Sequence, residues 1–206
     1  MKRAILILLV VFTLGVKAQH TSVEKSITGI QTGPLGLWFF NEYKLTDKIV
    51  LRSEFGLEAG ITIRSDGRWH FGLETGVAFK ESGIYYIPKT VFAMGPSFIL
   101  EPRRYYNIDR RAKKGKNTKN NSANFFAITA RYSPDWFVIF NTDNVYIPNQ
   151  IFIAPKWGIK RNLGNHFNYE LGIGLGVRSY FGKKLSSEGY SKDAAADLHL
   201  RIGYAF

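Results

Sequence analysis

Ionisable residues alternate with apolar ones along much of this chain, and they are its first candidates for chemistry. The acids in such positions are Glu54, Glu58, Glu74, Glu170 and Asp197; the bases are Arg52, Arg131, Lys156, Lys160, Arg178 and Arg201. Carboxylates and cations sharing one face could form an acid/base site or line a selective pore. They could also neutralise each other as an internal network, because a charge left alone out of water is strongly destabilising. A second concentration of charge is a basic run. Arg103, Arg104, Arg110, Arg111, Lys113, Lys114, Lys116 and Lys119 lie close together with Asp109 opposing. This run suits contact with anionic lipid phosphates or another acidic envelope polymer such as the cell wall, or else a solvated connection.

Other constellations fail their own tests. His20, His70, His166 and His199 include no pair at the i, i+4 spacing of a zinc protease. His166 with Ser133 or Ser179 would suit a lipid hydrolase on a membrane wall, but no nucleophile elbow or ordered triad accompanies them. Gly172-Ile173-Gly174-Leu175-Gly176 sits within an alternating segment with no helix after it, so the nucleotide-loop reading is rejected. The chain has no cysteine, which excludes disulfides and thiolate metal sites. No cofactor is implied.

The elements that must position these residues begin with an export signal. Lys2 and Arg3 precede an apolar run from Ala4 to Val16, and Val16-Lys17-Ala18 fits a small-residue cleavage pattern. Residues 1–18 are therefore expected to be a signal peptide, and residues 19–206 a single domain. The apolar run is too short to cross about 30 Å of hydrocarbon comfortably. The formal charge is +12. Lys2, Arg3 and Lys17 would leave with the signal, so the basic run carries most of what remains. Nucleic acid is a poor partner for an exported chain.

The rest of the chain has a period of two. Leu198, Leu200, Ile202, Tyr204 and Phe206 oppose Asp197, His199, Arg201, Gly203 and Ala205; Phe167 to Val177 alternate likewise with Asn168 to Arg178. Similar alternation spans Ile49–Ile61, Trp69–Phe79 and Ile151–Ile159. Segments near 29–45, 90–102 and 123–133 are less regular, the first with a bulge or kink expected at Gly33-Pro34. These make about eight strands, joined at Thr46-Asp47-Lys48, Ser65-Asp66-Gly67 and Asn162-Leu163-Gly164-Asn165 by turn chemistry. A short helix is expected over residues 107–114, ended by Gly115.

The predicted fold is all-β: a single antiparallel up-and-down transmembrane β-barrel of about eight strands. Alternation also fits a secreted soluble barrel with its apolar face around an apolar ligand. Glycine on the polar face favours the membrane barrel. Gly72, Gly76, Gly158, Gly172, Gly174 and Gly176 would weaken a solvent-facing strand, but they suit a narrow interior. Large apolar residues with aromatics near the strand ends, and the terminal aromatic, point the same way.

The closing pattern Leu200, Ile202, Tyr204, Phe206 resembles the small outer-membrane β-barrel proteins of Gram-negative bacteria. Within that class the chain is similar to a poorly characterised eight-stranded group. The likeness is carried by Glu101-Pro102-Arg103-Arg104-Tyr105-Tyr106-Asn107, Lys113-Lys114-Gly115-Lys116-Asn117, Pro134-Asp135-Trp136-Phe137 and Asn165-His166-Phe167-Asn168-Tyr169-Glu170. The resemblance implies residence in the cell outer membrane after export and contact with outer-membrane lipids. It also implies recognition of Phe206 by the barrel-assembly machinery and both termini in the periplasm. It brings no activity. The expectation is a non-enzymatic barrel with a structural or interaction role in the envelope, its lumen plugged by charged side chains. The alternatives are a membrane-embedded lipid-modifying enzyme and the secreted soluble barrel.

Overall fold

The computed structural model describes residues 21–34, 36–63, 90–139, 148–181 and 192–206. The signal-peptide expectation, Glu74 and the alternating stretch 69–79 lie outside these residues. Eight strands follow one another in chain order: β1 (Ser26–Gly33), β2 (Gly36–Lys44), β3 (Ile49–Ile63), β4 (Thr90–Tyr105), β5 (Asn124–Ser133), β6 (Asn149–Leu163), β7 (Phe167–Phe181) and β8 (Lys192–Ala205). All neighbours are antiparallel, and β8 returns to β1, so the sheet closes on itself. Closure removes the free edges that would otherwise expose unpaired backbone groups. Between β4 and β5 run a short α-helix, α1 (Ile108–Lys113), and a 3-10 turn (Lys119–Asn121).

The described strands also number eight, but two of them come from the segment 29–45 that was expected to supply one. Residues 29–45 are not one kinked strand. Gly33 pairs with Gly36, and β1 and β2 form a hairpin across Pro34. Proline supplies no backbone N–H, and the flanking glycines allow a tight reversal. The hairpin is short. The seam between β1 and β8 therefore runs only from Gly29–Thr32 against Ile202–Ala205, whereas β3 and β4 pair from Ile49–Ile63 against Thr90–Arg104.

Period two decides which side chains share a surface. In β8, Asp197, His199 and Arg201 are buried while Leu198, Leu200 and Ile202 are exposed. In β7, Asn168, Glu170 and Arg178 turn inward while Leu171, Ile173, Leu175 and Val177 turn out. The barrel is thus inverted relative to a water-soluble protein. Leu175 is 64 % exposed and Ile202 62 %, while Arg52, Arg103 and Glu170 are 0 % exposed. The soluble alternative required the apolar face inside, and the structure places it outside.

Two irregular segments have a physical explanation. Their inward positions carry aromatic and small residues: Trp38 and Phe40 in β2, Phe125 and Ala127 in β5. Both faces are then apolar, and the alternation disappears from the sequence. Glycine makes room for these rings. A Cβ on Gly158 would run into the ring of Phe125.

The end of the barrel where β1 begins and β8 finishes, the termini end, also holds the β2–β3 turn, the β6–β7 turn and the β4–β5 connection. Val23, Ile108 and Ala123 pack there with Val50, Tyr105, Phe125 and Ala127 in one buried apolar cluster. The helix α1 ends as the sequence suggests. Gly115 takes φ +62°, its amide bonds to the Ala112 carbonyl at 2.9 Å, and the Lys116 amide bonds to the Arg111 carbonyl at 2.9 Å. That pair of bonds closes a helix C-terminus through a left-handed glycine.

Candidate functional site

The strand register brings unlike charges face to face around the inner wall. Glu42 of β2 lies opposite Arg52 of β3, which lies opposite Glu101 of β4; on the other side Lys160 of β6 faces Glu170 of β7, which faces Arg201 of β8. Opposed pairs of this kind stabilise a sheet, and like charges in the same places would oppose it. Same-strand neighbours two residues apart also meet. Arg52 Nε bonds to Glu54, and Arg103 Nε bonds to Glu101.

Two carboxylates organise the half of the lumen nearer the termini. Glu170 accepts from Arg103 Nη1 at 2.8 Å, Arg52 Nη1 at 3.1 Å and Gln31 Nε2 at 2.9 Å, with His199 Nε2 at 3.2 Å. Glu42 lies 2.9 Å from both Arg52 Nη1 and Lys160 Nζ. It also accepts from the Tyr105 hydroxyl at 3.1 Å and from Asn121 Nδ2 at 2.9 Å. Arg201 Nη1 bonds to Glu54 at 2.6 Å. Toward the other end Lys156 Nζ bridges Glu101 at 2.9 Å and Asp197 at 2.7 Å. Arg131 reaches Asp197 at 3.0 Å and Glu58 at 3.2 Å.

Aromatic rings complete the packing. The guanidinium carbons of Arg201, Arg52 and Arg103 stand 3.6, 4.0 and 4.2 Å from the ring centres of Trp38, Phe40 and Phe125. A flat cation over a ring face is attracted by the ring quadrupole, and more so away from water. Among the described residues, six buried carboxylates (Glu42, Glu54, Glu58, Glu101, Glu170, Asp197) face seven buried cations (Arg52, Arg103, Arg131, Lys156, Lys160, Arg178, Arg201). Near-balance is what burial demands, since each ion must recover from its neighbours what it loses in hydration.

The expected lumen residues are therefore brought together, Glu74 aside. Arg178 is also buried, with its guanidinium 5.3 Å from the Tyr180 ring centre. Arg103 requires correction. It does not belong to an exposed basic run, because β4 continues through Arg103 and Tyr105 and turns both inward. Glu42, Glu101 and the rings of Trp38, Phe40 and Phe125 are lumen residues the reading missed. The spacing Glu101-Pro102-Arg103 was the available signal, since it repeats the Arg52-Ser53-Glu54 pattern two positions apart.

The remaining basic run lies at the termini end. Arg104, Arg110, Lys113, Lys114, Lys116 and Lys119 are exposed and Arg111 is half-buried. Asp109 pairs with Lys48 at 2.6 Å. The chain between α1 and β5 is fixed by asparagines. Asn120 and Asn121 take left-handed φ of 52° and 57°, a conformation asparagine tolerates better than most residues. The Glu24 amide donates to Asn121 at 2.8 Å, and Asn120 Nδ2 donates to Asn162 at 2.9 Å.

The hydrolase constellation does not assemble. His166 precedes β7 at the termini end, with Nδ1 2.8 Å from the Ala205 carbonyl, while Ser133 and Ser179 lie at the far ends of β5 and β7. Among the described residues no cluster of His, Asp or Glu is arranged to hold a metal ion. Phe206 lies outward at the seam, its amide bonded to the Thr28 carbonyl at 2.9 Å and its ring 5.8 Å from that of Tyr204. No family model, curated protein or solved structure matches the chain.

Proposed function

We propose that this chain is an integral outer-membrane β-barrel with a non-enzymatic, structural or interaction role in the cell envelope. The observation that carries the reading is the inverted surface. Contiguous exposed apolar patches on soluble monomers rarely exceed a few hundred Å². Here large apolar side chains stand outward on strand after strand, among them Phe39, Phe55, Leu100, Phe126, Ile153, Ile173, Leu175 and Leu200. Each such side chain gains about 1.5–3 kcal/mol on leaving water, so the outer wall as a whole favours hydrocarbon strongly.

Aromatic residues near both strand ends support the same reading. Tyr106, Tyr204 and Phe206 lie toward the termini end; Tyr132, Trp136 and Phe181 lie at the opposite end. Rings with one polar edge favour the boundary between hydrocarbon and water. The signal-like N-terminus and the likeness of Leu200 to Phe206 to outer-membrane barrels favour the outer membrane over other bilayers. In this reading Phe206 is part of the signal for the barrel-assembly machinery, and the charged lumen plugs the barrel.

Cell fractionation with gel mobility tests the proposal. The full chain, expressed with its own N-terminus, is expected in the outer-membrane fraction. It should run faster unheated than boiled, as a folded barrel in detergent does. Recovery as a soluble periplasmic or secreted protein, with no heat-dependent mobility, contradicts it.

A further inference from the structure

On the outer wall beside α1, polar side chains gather around Asn124 and the Tyr106 hydroxyl. Trp157 Nε1 and Asn124 Nδ2 both donate to the Tyr106 hydroxyl, at 3.0 and 3.2 Å. That oxygen therefore accepts twice, and its own proton is left to donate outward. Arg161 donates to the Lys160 carbonyl at 2.7 Å and to Asn124 Oδ1 at 2.6 Å. A guanidinium carries five N–H groups, so further donors remain. Arg111 donates to the Asn117 carbonyl at 2.9 Å, and its Nε–H is buried with no partner among the described residues. Asn107 ties the start of α1 to this group: its Oδ1 accepts from the Asn124 amide at 2.8 Å, and its carbonyl accepts from the Arg111 amide at 3.0 Å.

Two like charges near one another, with spare N–H and O–H groups around them, fit an anion with several acceptor oxygens. Arginine pairs with phosphate through two parallel bonds, which a single carboxylate or chloride uses less fully. The surroundings narrow the choice of phosphate. The Tyr106 ring lies 5.0 Å from that of Phe126, and Phe126 and Ile128 continue outward along β5 as exposed apolar side chains. A phosphate held here would have hydrocarbon-loving wall beside it on one side and the basic end of the barrel on the other.

We infer that Arg111, Arg161 and the Tyr106 hydroxyl hold the phosphate of an anionic membrane lipid, its acyl chains lying along Phe126 and Ile128. The inference rests on the membrane reading above and adds a lipid site in the leaflet nearest the chain termini. Inorganic phosphate offers the same oxygens without the tails.

The test uses the purified chain reconstituted in bilayer discs of phosphatidylcholine with phosphatidylglycerol as the minor lipid. Lipids that stay bound after gentle disc disruption are counted by native mass spectrometry. The wild type should retain phosphatidylglycerol in excess of its share. Arg111→Gln and Arg161→Gln should each lower that excess about five-fold, the effect of one cation near a phosphate. Arg110→Gln, on the exposed side of α1, should leave it unchanged. Heat-dependent gel mobility checks that each variant is folded, and Arg161→Lys, which keeps the charge, should retain part of the excess. Equal loss in Arg110→Gln overturns the site in favour of diffuse attraction. Displacement of the lipid by millimolar inorganic phosphate overturns the lipid assignment in favour of a free-anion site. Insertion into discs without any excess of phosphatidylglycerol overturns this inference alone. Failure to insert at all overturns the membrane reading with it.

Discussion

Arg103 and Arg104 are neighbours in the chain and opposites in the structure. Arg103 is buried between Glu101, Glu170 and the Phe125 ring, while Arg104 stands on the outer surface. Removing one member of a buried ion network costs about 3–5 kcal/mol, because its partners stay buried without compensation. An exposed arginine away from such a network changes stability by about 0.5 kcal/mol or less. Arg103→Ala should therefore lower the denaturant midpoint of the folded barrel in detergent micelles substantially, and Arg104→Ala should barely move it. Equal effects would mean that β4 does not run through these positions as described. Residue by residue, the sequence was legible where polar and apolar side chains alternate, as at Glu170 and Arg201. It was illegible at Arg103, where a basic run hides the end of a strand. It was also illegible at Glu42, whose inward neighbours Trp38 and Phe40 are apolar like the outward Phe39.

At the scale of the element, β7 states the rule of the fold most plainly. Inward glycines and charges alternate with four outward aliphatics, Leu171, Ile173, Leu175 and Val177. In the proposed membrane setting an arginine at position 173 would face lipid. Ile173→Arg is expected to cost about 2–4 kcal/mol if the residue lies near the bilayer midplane. Equilibrium unfolding from lipid vesicles measures that cost, and a neutral result would place the face in water. The strands with clean alternation, β3, β6, β7 and β8, were visible in sequence, and their alternating residues divide between the two faces as expected. The β1–β2 hairpin was not. Its turn at Gly33-Pro34 looks the same in sequence as a kink within one strand, and only the Gly33–Gly36 pairing distinguishes them.

For the whole molecule, the order of eight antiparallel strands fixes which connections share an end. The basic run after β4 lies at the end where β1 begins and β8 finishes. If that end is periplasmic, cysteine placed at Lys116 should resist a membrane-impermeant thiol reagent on intact cells and react once the outer membrane is permeabilised. Ready labelling of intact cells would reverse the orientation. The packed lumen makes a second demand. Ion pairs and stacked rings leave the inner wall of the described strands crowded from Glu42 to Asp197, so the reconstituted barrel should carry no steady single-channel current in planar bilayers. Large, stable conductance would show that the charges line a pathway and do not close it.

If the apolar outer wall lies in hydrocarbon, as proposed, spin labels along β7 will report it. Labels placed one at a time at Tyr169, Leu171, Ile173, Leu175, Val177 and Ser179 occupy successive outward positions in the reconstituted protein. Apolar oxygen concentrates in the middle of a bilayer, and a charged nickel chelate stays in water. Oxygen access should rise from Tyr169 to a maximum near Ile173 and Leu175 and fall again toward Ser179, with nickel access the reverse. Nickel access that stays high at every position would put this wall in water and contradict the account.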